Sequence, residues 1–559
     1  MDTVYLKVTE ILGDRVHVNL ETLLVLNVFK ICGTGNVKLR LVVVPADSQP
    51  QFRVHLNDYE QIKLEEIPKI AKYCSWPVIV IGRTVVAGLC SVCRQIIKSS
   101  RNEEVQNLLG FREACLMACS ESSIWTKLCE VDMIATVKKL FSADCEEYPS
   151  ITLPVDLTRF EYHMEKPVRI HNVYKLAREK NNDKDIKCSV PVENLNLAHC
   201  FSEGPFITLS DVILFPCIKI LGSYFKEQIL INHLPLTYAW MENMGRLGYD
   251  FIDFESLGLP DLIFKGREIK QEDVPRHSLY SSDPKRYNPL SRIYTKQSDI
   301  ENSLNIIDKS SIDVTNDITP FGHEIPFDWS QIPVELNPEG GALPEKRAKR
   351  KCEQLENLVK SVFKISEGKS YKIVDFCSGS GHLGLLLAFL LPQCEVILVE
   401  NKERSLLRAK ERVVTLNLTN VVLLQCNLDY FSAKFDVGVS LHACGVATDL
   451  VIQNCIENRA HFVSCPCCYG GVHDCYHLKY PRSKNFIDEI EYGDYLNLVH
   501  AADQTHKDNA KTKQGYLCMD VVDTDRKLYA ESCGYEVFLG KLSPPTCTPK
   551  NNLIVGICK

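Results

Sequence analysis

The residues with the clearest chemical meaning lie within residues 371–400, where a carboxylate, two closely spaced glycines and a second carboxylate follow one another. Asp375 closes an apolar run, and Gly379 and Gly381 then allow the backbone to turn tightly and approach a ligand where a side chain would clash. Glu400 closes the next apolar run 19 residues past Gly381, where its carboxylate can accept both hydroxyls of a ribose. The spacing predicts a strand, a turn, a helix whose first amides point at the ligand, and a second strand, and therefore a nucleoside-binding site.

Two kinds of nucleoside cofactor fit this pattern. Gly379, Gly381 and Gly384 have the spacing of the dinucleotide fingerprint, although a single match of that kind is a weak signal. Asp375 favours S-adenosylmethionine, because the cationic amino-acid end of that cofactor needs an anion where a pyrophosphate would be repelled. Cys377 stands where methyltransferases often have a first glycine, and we count it among the cofactor-binding residues. We expect S-adenosylmethionine, with a nicotinamide or flavin dinucleotide and an empty, purely structural turn as alternatives.

Further polar residues follow the next three predicted strands. Asn427 follows the third strand, where its side-chain amide can hydrogen-bond adenine. His442 follows the fourth strand and is the candidate base, because methyl transfer needs a proton acceptor and imidazole titrates near working pH. Cys467 and Cys468 follow the fifth strand, and we expect them to line the site of the methyl acceptor. The alternative for His442 is that it hydrogen-bonds a backbone group and only shapes the pocket.

The segment around the fifth strand end also carries the residue types that bind zinc, at Cys465, Cys467, Cys468, His473, Cys475 and His477. Their spacing is not that of an established zinc finger, and adjacent ligands strain a tetrahedral site. We therefore predict a reduced, cysteine-rich pocket wall without a metal, and zinc is the alternative.

The succession of these elements resembles the class I S-adenosylmethionine-dependent methyltransferases. The chain ends in two apolar runs, residues 535–542 and 552–558, that suit the antiparallel hairpin of that class. The stretch LHACGVATD, residues 441–449, with the later cysteine pair also resembles a tRNA ribose methyltransferase family that carries a similar HxCGxATD stretch. In that family histidines follow the cysteine pair, whereas Tyr469-Gly470-Gly471 follows it here, so the substrate does not simply carry over.

The first 245 residues resemble the glutathione transferases. Residues 76–82, WPVIVIG, are similar to the strand after the cis-proline of that fold, and residues 208–216, TLSDVILFP, are similar to the start of its buried helix. Thr208 and Asp211 have the spacing of a capping box there.

Glutathione chemistry itself is not expected. Where the transferases place an acid or amide followed by Ser, twelve residues past the proline, this chain has Gly88-Leu89. A module that binds protein partners is the preferred interpretation of this half of the chain.

Length and resemblance together predict an α/β protein with a thioredoxin-like and an all-α glutathione-transferase-like part, followed by a Rossmann-like seven-stranded methyltransferase domain. The predicted segments are 1–95 thioredoxin-like, 96–262 helical, 263–335 a partly disordered linker, and 336–559 methyltransferase. The 25 cysteines have no regular framework, the amino terminus has no apolar signal-peptide core, and no apolar run is long enough to span a bilayer. We therefore expect a reduced cytoplasmic protein that does not associate with membranes.

Two features favour RNA as the methyl acceptor, in addition to the HxCGxATD stretch. Five cations occur within six residues at the start of a predicted helix, at Lys346, Arg347, Lys349, Arg350 and Lys351, and such a patch can contact phosphates. The long segment 470–514 is rich in tyrosines and cations and is predicted to cover the substrate. The net charge of −7 argues against a wholly basic nucleic-acid binder. A solvated helix face, a protein acceptor and a catalytically silent, cofactor-binding scaffold are the alternatives.

Overall fold

The computed structural model describes residues 2–33, 36–45, 51–142, 150–225, 227–259, 268–280, 295–314, 316–338, 344–505 and 510–559. The chain forms two compact units, residues 1–284 and 285–559, and each contains hydrophobic cores of its own. The boundaries at residues 95, 262 and 335 stay predictions. Within the described ranges, no helix is both long and apolar enough to cross a membrane.

The first unit begins with a mixed sheet in the spatial order β8-β7-β1-β4-β6. The central strand, β1, pairs in parallel with β4 and antiparallel with β7. Strand β7 also pairs antiparallel with β8 to form a hairpin. Together with the intervening helices this is the predicted thioredoxin-like arrangement, and the Trp76–Pro77 peptide before β7 is cis. The strands of this unit are β1 (Asp2–Val8), β2 (Glu10–Leu12), β3 (Arg15–Val18), β4 (Val37–Val43), β5 (Phe52–His55), β6 (Glu60–Ile62), β7 (Val78–Ile81), β8 (Thr84–Ala87), β9 (Ser150–Thr152) and β10 (Glu268–Lys270).

Helices make up most of the rest of the first unit. They are α1 (Leu20–Cys32), α2 (Leu89–Lys98), α3 (Glu103–Gln106), α4 (Ile124–Lys127), α5 (Met133–Ser142), α6 (Val155–Met164), α7 (Val173–Lys180), α8 (Leu209–Tyr224), α9 (Glu227–His233) and α10 (Pro235–Gly245). The predicted capping box at the start of α8 is confirmed, because the Thr208 amide donates to Asp211 Oδ2 over 2.8 Å. The other oxygen of Asp211 accepts from the Trp240 indole over 2.8 Å, which ties α8 to α10.

The described residues of the second unit form seven strands in the order β13-β12-β11-β14-β15-β17-β16. All neighbours are parallel except β17, which runs antiparallel to both β15 and β16. The strands are β11 (Lys372–Phe376), β12 (Glu395–Glu400), β13 (Val421–Gln425), β14 (Val437–Cys444), β15 (His461–Cys467), β16 (Tyr535–Lys541) and β17 (Asn552–Cys558). This order confirms the predicted class I methyltransferase fold, and it brings the carboxyl ends of β11, β12, β14 and β15 to one edge.

The helices of the second unit are α11 (Gln297–Lys309), α12 (Glu345–Ser366), α13 (His382–Leu390), α14 (Glu403–Thr415), α15 (Val446–Asn458), α16 (Lys484–Ile487), α17 (Tyr492–Ala501) and α18 (Ala510–Ser532). The first of them lies inside the segment that the sequence predicted as a linker. Ile300 and Ile307 are seven residues apart, lie on one face of α11 and are buried in a cluster with Tyr495 and Leu498 of α17. Leu304 and Ile306 pack against the same cluster, so the apolar spacing of a helix was present in the sequence within an otherwise polar segment.

The long segment that follows β15 differs from its prediction. Tyr480 and Tyr495 are buried, and their hydroxyls donate to Asp449 Oδ2 over 2.8 Å and to Asp525 Oδ2 over 2.9 Å. These two tyrosines therefore stabilise the core of the unit instead of covering a substrate. Residues 506–509 of the segment lie outside the described residues.

Candidate active site

A cavity of about 450 Å³ lies at the carboxyl edge of the second unit's sheet, beside the ends of β11, β12 and β14. This volume is within the usual range for sites that bind small molecules and cofactors. The sequence-predicted residues on its wall are Asp375, Cys377, Gly379, Glu400 and His442, and they are joined there by Lys351, Ser378, Ser380, His382, Asn401, Lys402 and Cys444.

The turn after β11 depends on its glycines in two different ways. Gly379 and Gly381 have φ angles of 57° and 75°, in the left-handed region that favours glycine. A Cβ on Gly379 would meet nothing within 4 Å, whereas a Cβ on Gly381 would lie 2.9 Å from Leu398 Cδ1. Gly384 has no room either, since a Cβ there would lie 2.1 Å from Leu398 Cδ2. The third glycine of the dinucleotide-like spacing thus serves the packing of α13 against β12.

Asp375 and Lys351 place opposite charges on the same cavity wall. Asp375 Oδ2 accepts from the Gly384 amide over 2.8 Å, and burial raises the pKa of its carboxyl to about 7, against the opposing pull of Lys351. Burial lowers the pKa of Lys351, while Asp375 raises it. An anion and a cation side by side can hold a zwitterion, such as the amino-acid end of S-adenosylmethionine.

Lys351 was predicted to belong to a basic surface patch, but it lies elsewhere in the structure. Lys346, Arg347, Lys349 and Arg350 are exposed, but Lys351 is half-buried and lines the cavity. The signal was present in the sequence, because Lys351 has helical spacing to the buried Ala348 and Leu355, which marks it as a residue of the inner face of α12.

Glu400 is held at the cavity by backbone amides. Its Oε2 accepts from the Gly379 amide and its Oε1 from the Lys402 amide, both over 2.8 Å. Asn427 does not line the cavity; its Oδ1 accepts from Asn401 Nδ2 over 3.4 Å, and Asn401 is the residue on the wall. Asn401 was not among the predicted site residues, although it directly follows the predicted ribose-binding carboxylate, Glu400.

His442 has a fixed hydrogen-bonding partner that was not predicted. Its Nε2 lies 2.9 Å from Gln354 Oε1, while Gln354 Nε2 donates to the Cys547 carbonyl over 2.8 Å. Since that second bond fixes the Gln354 amide, Nε2 of His442 must donate, and Nδ1 is the ring nitrogen that can accept a proton. Burial and the nearby Lys351 lower the pKa of His442 to about 4, so the ring is neutral at pH 7.

Three thiols meet where β14 and β15 end. The Sγ atoms of Cys444, Cys467 and Cys468 lie within 4.8 Å of one another, and those of Cys444 and Cys467 are 3.2 Å apart. Hydrogen bonds from Cys444 and Cys467 lower the pKa of the Cys468 thiol. Three soft ligands in this arrangement have the chemistry to hold a thiophilic ion, with Cys444 reaching the cavity wall.

The six residues considered for zinc are not brought together in the described part of the chain. Cys465 donates to the Lys550 carbonyl over 3.5 Å, His473 Nδ1 lies 2.7 Å from the Gly471 carbonyl, and His477 Nε2 lies 2.7 Å from Asp429 Oδ1. Of that set, Cys467 and Cys468 belong to the thiol cluster.

The chain is similar to known proteins over most of its length. It is 44% identical to a glutathione S-transferase C-terminal domain-containing protein homolog of Drosophila melanogaster over 496 residues, 85% of this chain and 83% of that protein. The chain belongs to the glutathione S-transferase C-terminal domain-containing protein family. The Homo sapiens protein of this family is 31% identical over 96% of this chain and 95% of its own length.

This family member carries a methyltransferase domain, since a methyltransferase-domain family matches residues 347–475. That range runs from the start of α12 through the cysteine pair and contains the residues of the cavity wall. Among solved structures, the magnesium protoporphyrin IX methyltransferase of Synechocystis, with bound S-adenosylmethionine, is 12% identical; the match covers 40% of this chain and 90% of that one, with a TM-score of 0.25.

Proposed function

We propose that the second unit binds S-adenosylmethionine and transfers its methyl group to RNA. The observation that carries the cofactor assignment is the pair of opposite charges, Asp375 and Lys351, on one wall of a cavity that Glu400 also lines. The cofactor has an ammonium and a carboxylate at one end and two ribose hydroxyls in the middle. A pyrophosphate would be repelled by both carboxylates, which disfavours a dinucleotide.

Different residues of the cavity wall bind different parts of the cofactor. Asp375 would hold the ammonium and Lys351 the carboxylate, while the backbone of the turn at Cys377 and Gly379 would lie against the methionine end. Gly381, which was also predicted to bind the cofactor, is not on the cavity wall and packs near Leu398. Glu400 accepts from the ribose hydroxyls. Asn401, which is on the cavity wall and donates to Asn427, takes the place of Asn427 as the residue that can hydrogen-bond the adenine.

The bound cofactor supplies an electrophilic methyl group on a sulfonium. Held by Asp375, Lys351 and Glu400, the cofactor would present this methyl group to an acceptor oxygen or nitrogen. The proton of the acceptor passes to Nδ1 of His442, which the hydrogen bond to Gln354 keeps unprotonated. Cys467 and Cys468 lie at the acceptor side of the site.

Support for RNA comes from the start of α12. Its four exposed cations, Lys346, Arg347, Lys349 and Arg350, directly precede Lys351 on the cavity wall. Arg347 is one helical turn before Lys351 on the same face, so phosphates bound by the cations would lie near the cavity mouth. The net charge of −7 supplies no long-range attraction, so this local patch must provide the affinity.

The deciding experiment is incubation of the full chain with labelled S-adenosylmethionine and separated pools of cellular RNA and protein. Label in RNA supports the proposal, and label in polypeptide alone contradicts the RNA assignment. Cofactor binding without any transfer would instead indicate the catalytically silent scaffold.

Variants then separate the two parts of the site. Replacing Lys346, Arg347, Lys349 and Arg350 with Ala should weaken RNA binding and flatten its dependence on salt, because fewer counterions are released, while the affinity for S-adenosylmethionine stays the same. Lys351→Ala should instead weaken cofactor binding. The matched control removes four exposed lysines from the first unit, Lys175, Lys180, Lys184 and Lys187, and changes the net charge equally.

A further inference from the structure

The first unit contains a second cavity, of about 640 Å³, enclosed between residues 104–115, the start of α7 and the chain that leads into α8. Much of its wall is aromatic or aliphatic, including Phe111, Phe201, Phe206, Ile207, Tyr249 and Tyr280. Phe206 is 64% exposed, so its ring is accessible to a molecule that enters the cavity. The volume suits a small organic molecule.

Glu203 presents one carboxylate oxygen to this cavity. The residue is only 6% exposed, and its Oε1 accepts from Trp125 Nε1 over 3.0 Å, Cys115 Sγ over 3.2 Å and Ser210 Oγ over 3.4 Å. Among the described residues no hydrogen bond ends on Oε2, and this oxygen is not one of the buried side-chain atoms left without a partner. It is therefore open to a hydrogen bond from a ligand in the cavity.

A second acceptor lies on the same wall. Asn172 Oδ1 is buried and has no hydrogen-bond partner among the described residues. The other titratable side chains of the wall are Glu104, Cys115, His171, Tyr249 and Tyr280, so carboxylates outnumber basic groups. Acceptors and negative charge together favour a ligand that donates hydrogen bonds and carries positive charge.

We propose that this cavity binds a small organic amine, whose ammonium group is held by Glu203 Oε2 and Asn172 Oδ1 and whose apolar body packs against Phe206 and its aromatic neighbours. The carboxylates of the wall disfavour an anion such as glutathione. Burial raises the pKa of Glu203 to about 7, with Asp211 adding to the rise, so the carboxyl can ionise at neutral pH when a cation arrives. The site is separate from the methyltransferase cavity and independent of its proposed activity.

Calorimetry on the full chain tests the proposal with three probes of the same shape, 2-phenylethylamine, 2-phenylethanol and 3-phenylpropanoate, and with the larger amine tryptamine. We expect both amines to bind, the alcohol to bind at least tenfold more weakly than its amine, and the carboxylate more weakly still. No binding of either amine at millimolar concentration, or equal affinity for amine and alcohol, would overturn the proposal.

Glu203→Gln keeps the shape of the side chain and should abolish the preference for amine over alcohol. Glu104→Gln removes an exposed carboxylate from the rim and should change affinity less than threefold. If the Glu203 variant does not fold, Phe206→Ala replaces it, since that side chain is exposed and its loss should weaken amine and alcohol equally. An unchanged preference in a folded Glu203→Gln, or unchanged affinities in Phe206→Ala, contradicts the site.

Discussion

At the scale of single residues, the glycines after β11 have separable contributions to stability. Gly379→Ala should destabilise the second unit by about 1 kcal/mol, the lower end of the cost of a left-handed backbone for a residue with a Cβ. Gly381→Ala should cost about 2–4 kcal/mol, because its new Cβ also overlaps Leu398. Denaturant unfolding of the two variants measures the difference. Equal losses would show that the contact with Leu398 relaxes freely.

Asp375 should make cofactor binding depend on pH. With a pKa of about 7 in the free protein, its carboxyl is mostly neutral at pH 6 and mostly charged at pH 7.5. Since the charged form attracts the ammonium of S-adenosylmethionine, affinity should increase roughly five- to tenfold as the pH rises over that interval. Titration calorimetry at several pH values gives the profile. Asp375→Asn should bind weakly with a flat profile, and a slope that survives this change must come from another group.

Gln354 is a positioning residue whose effect should appear in the rate rather than in cofactor affinity. Gln354→Leu removes the acceptor that holds the Nε2 proton of His442, so the ring is free to adopt the wrong tautomer. We expect kcat to fall at least tenfold with an unchanged Kd for S-adenosylmethionine. His442→Ala should lower kcat by about 10²-fold, the lower end of the usual contribution of a general base, because the lowered pKa of His442 makes it a weaker base than a free imidazole. A Gln354→Glu variant that recovers activity would support the tautomer role, and an unaltered kcat in both Gln354 variants would exclude it.

At the scale of elements, α11 shows that part of the predicted linker belongs to the methyltransferase fold. Ile300→Ala or Ile307→Ala should each destabilise the second unit by about 2–4 kcal/mol, the cost of deleting a buried isoleucine side chain. Glu301→Ala on the exposed face of the same helix is the control and should change stability by less than about 0.5 kcal/mol. Denaturant unfolding reports all three. Losses as small as that of the control would mean that α11 is not packed in solution.

The strands of the parallel sheet could be predicted from sequence because each is an apolar run that ends in a polar or glycine-rich turn, whereas the architecture of the sheet followed from the resemblance to class I methyltransferases. The contents of the long segment after β15 could not be predicted in the same way. Tyrosines suit both a core and a ligand-binding surface, and only the buried Asp449 and Asp525 decide that Tyr480 and Tyr495 point inward. Those aspartates lie on α15 and α18, far from the tyrosines along the chain.

The candidate site was predictable to the extent that its residues come from strand ends. Asp375, Glu400 and His442 follow directly from the topology of a parallel sheet, because strand ends meet at one edge. Gln354 and Lys351 come from α12, whose position against the sheet is a tertiary property. The sequence could show that Lys351 lies on the inner face of α12, but it could not show which cavity that face lines.

At the scale of the whole molecule, the first unit has the architecture of a glutathione transferase without its glutathione contacts. Leu89 is buried at the start of α2 and Gly88 has no side chain, so neither offers the acceptor that the glutamyl group of glutathione needs. We expect no conjugation of glutathione to a chromogenic aryl halide above the uncatalysed rate. A glutathione transferase assayed in parallel provides the positive control, and activity that follows the chain through purification would contradict the expectation.

Three non-glycine residues at the methyltransferase site, Cys377, His442 and Cys468, have left-handed backbones with φ angles of 54°, 70° and 51°. Cys377 and Cys468 directly follow β11 and β15, and His442 lies at a register shift near the end of β14. Each conformation costs on the order of 1–2 kcal/mol. A mutant library selected only for survival of heating should therefore accumulate glycine at these three positions. Clones that carry His442→Gly should be the first to lose methyl transfer, because they no longer have the base. Selection for heat resistance and selection for turnover would therefore favour different residues at these positions.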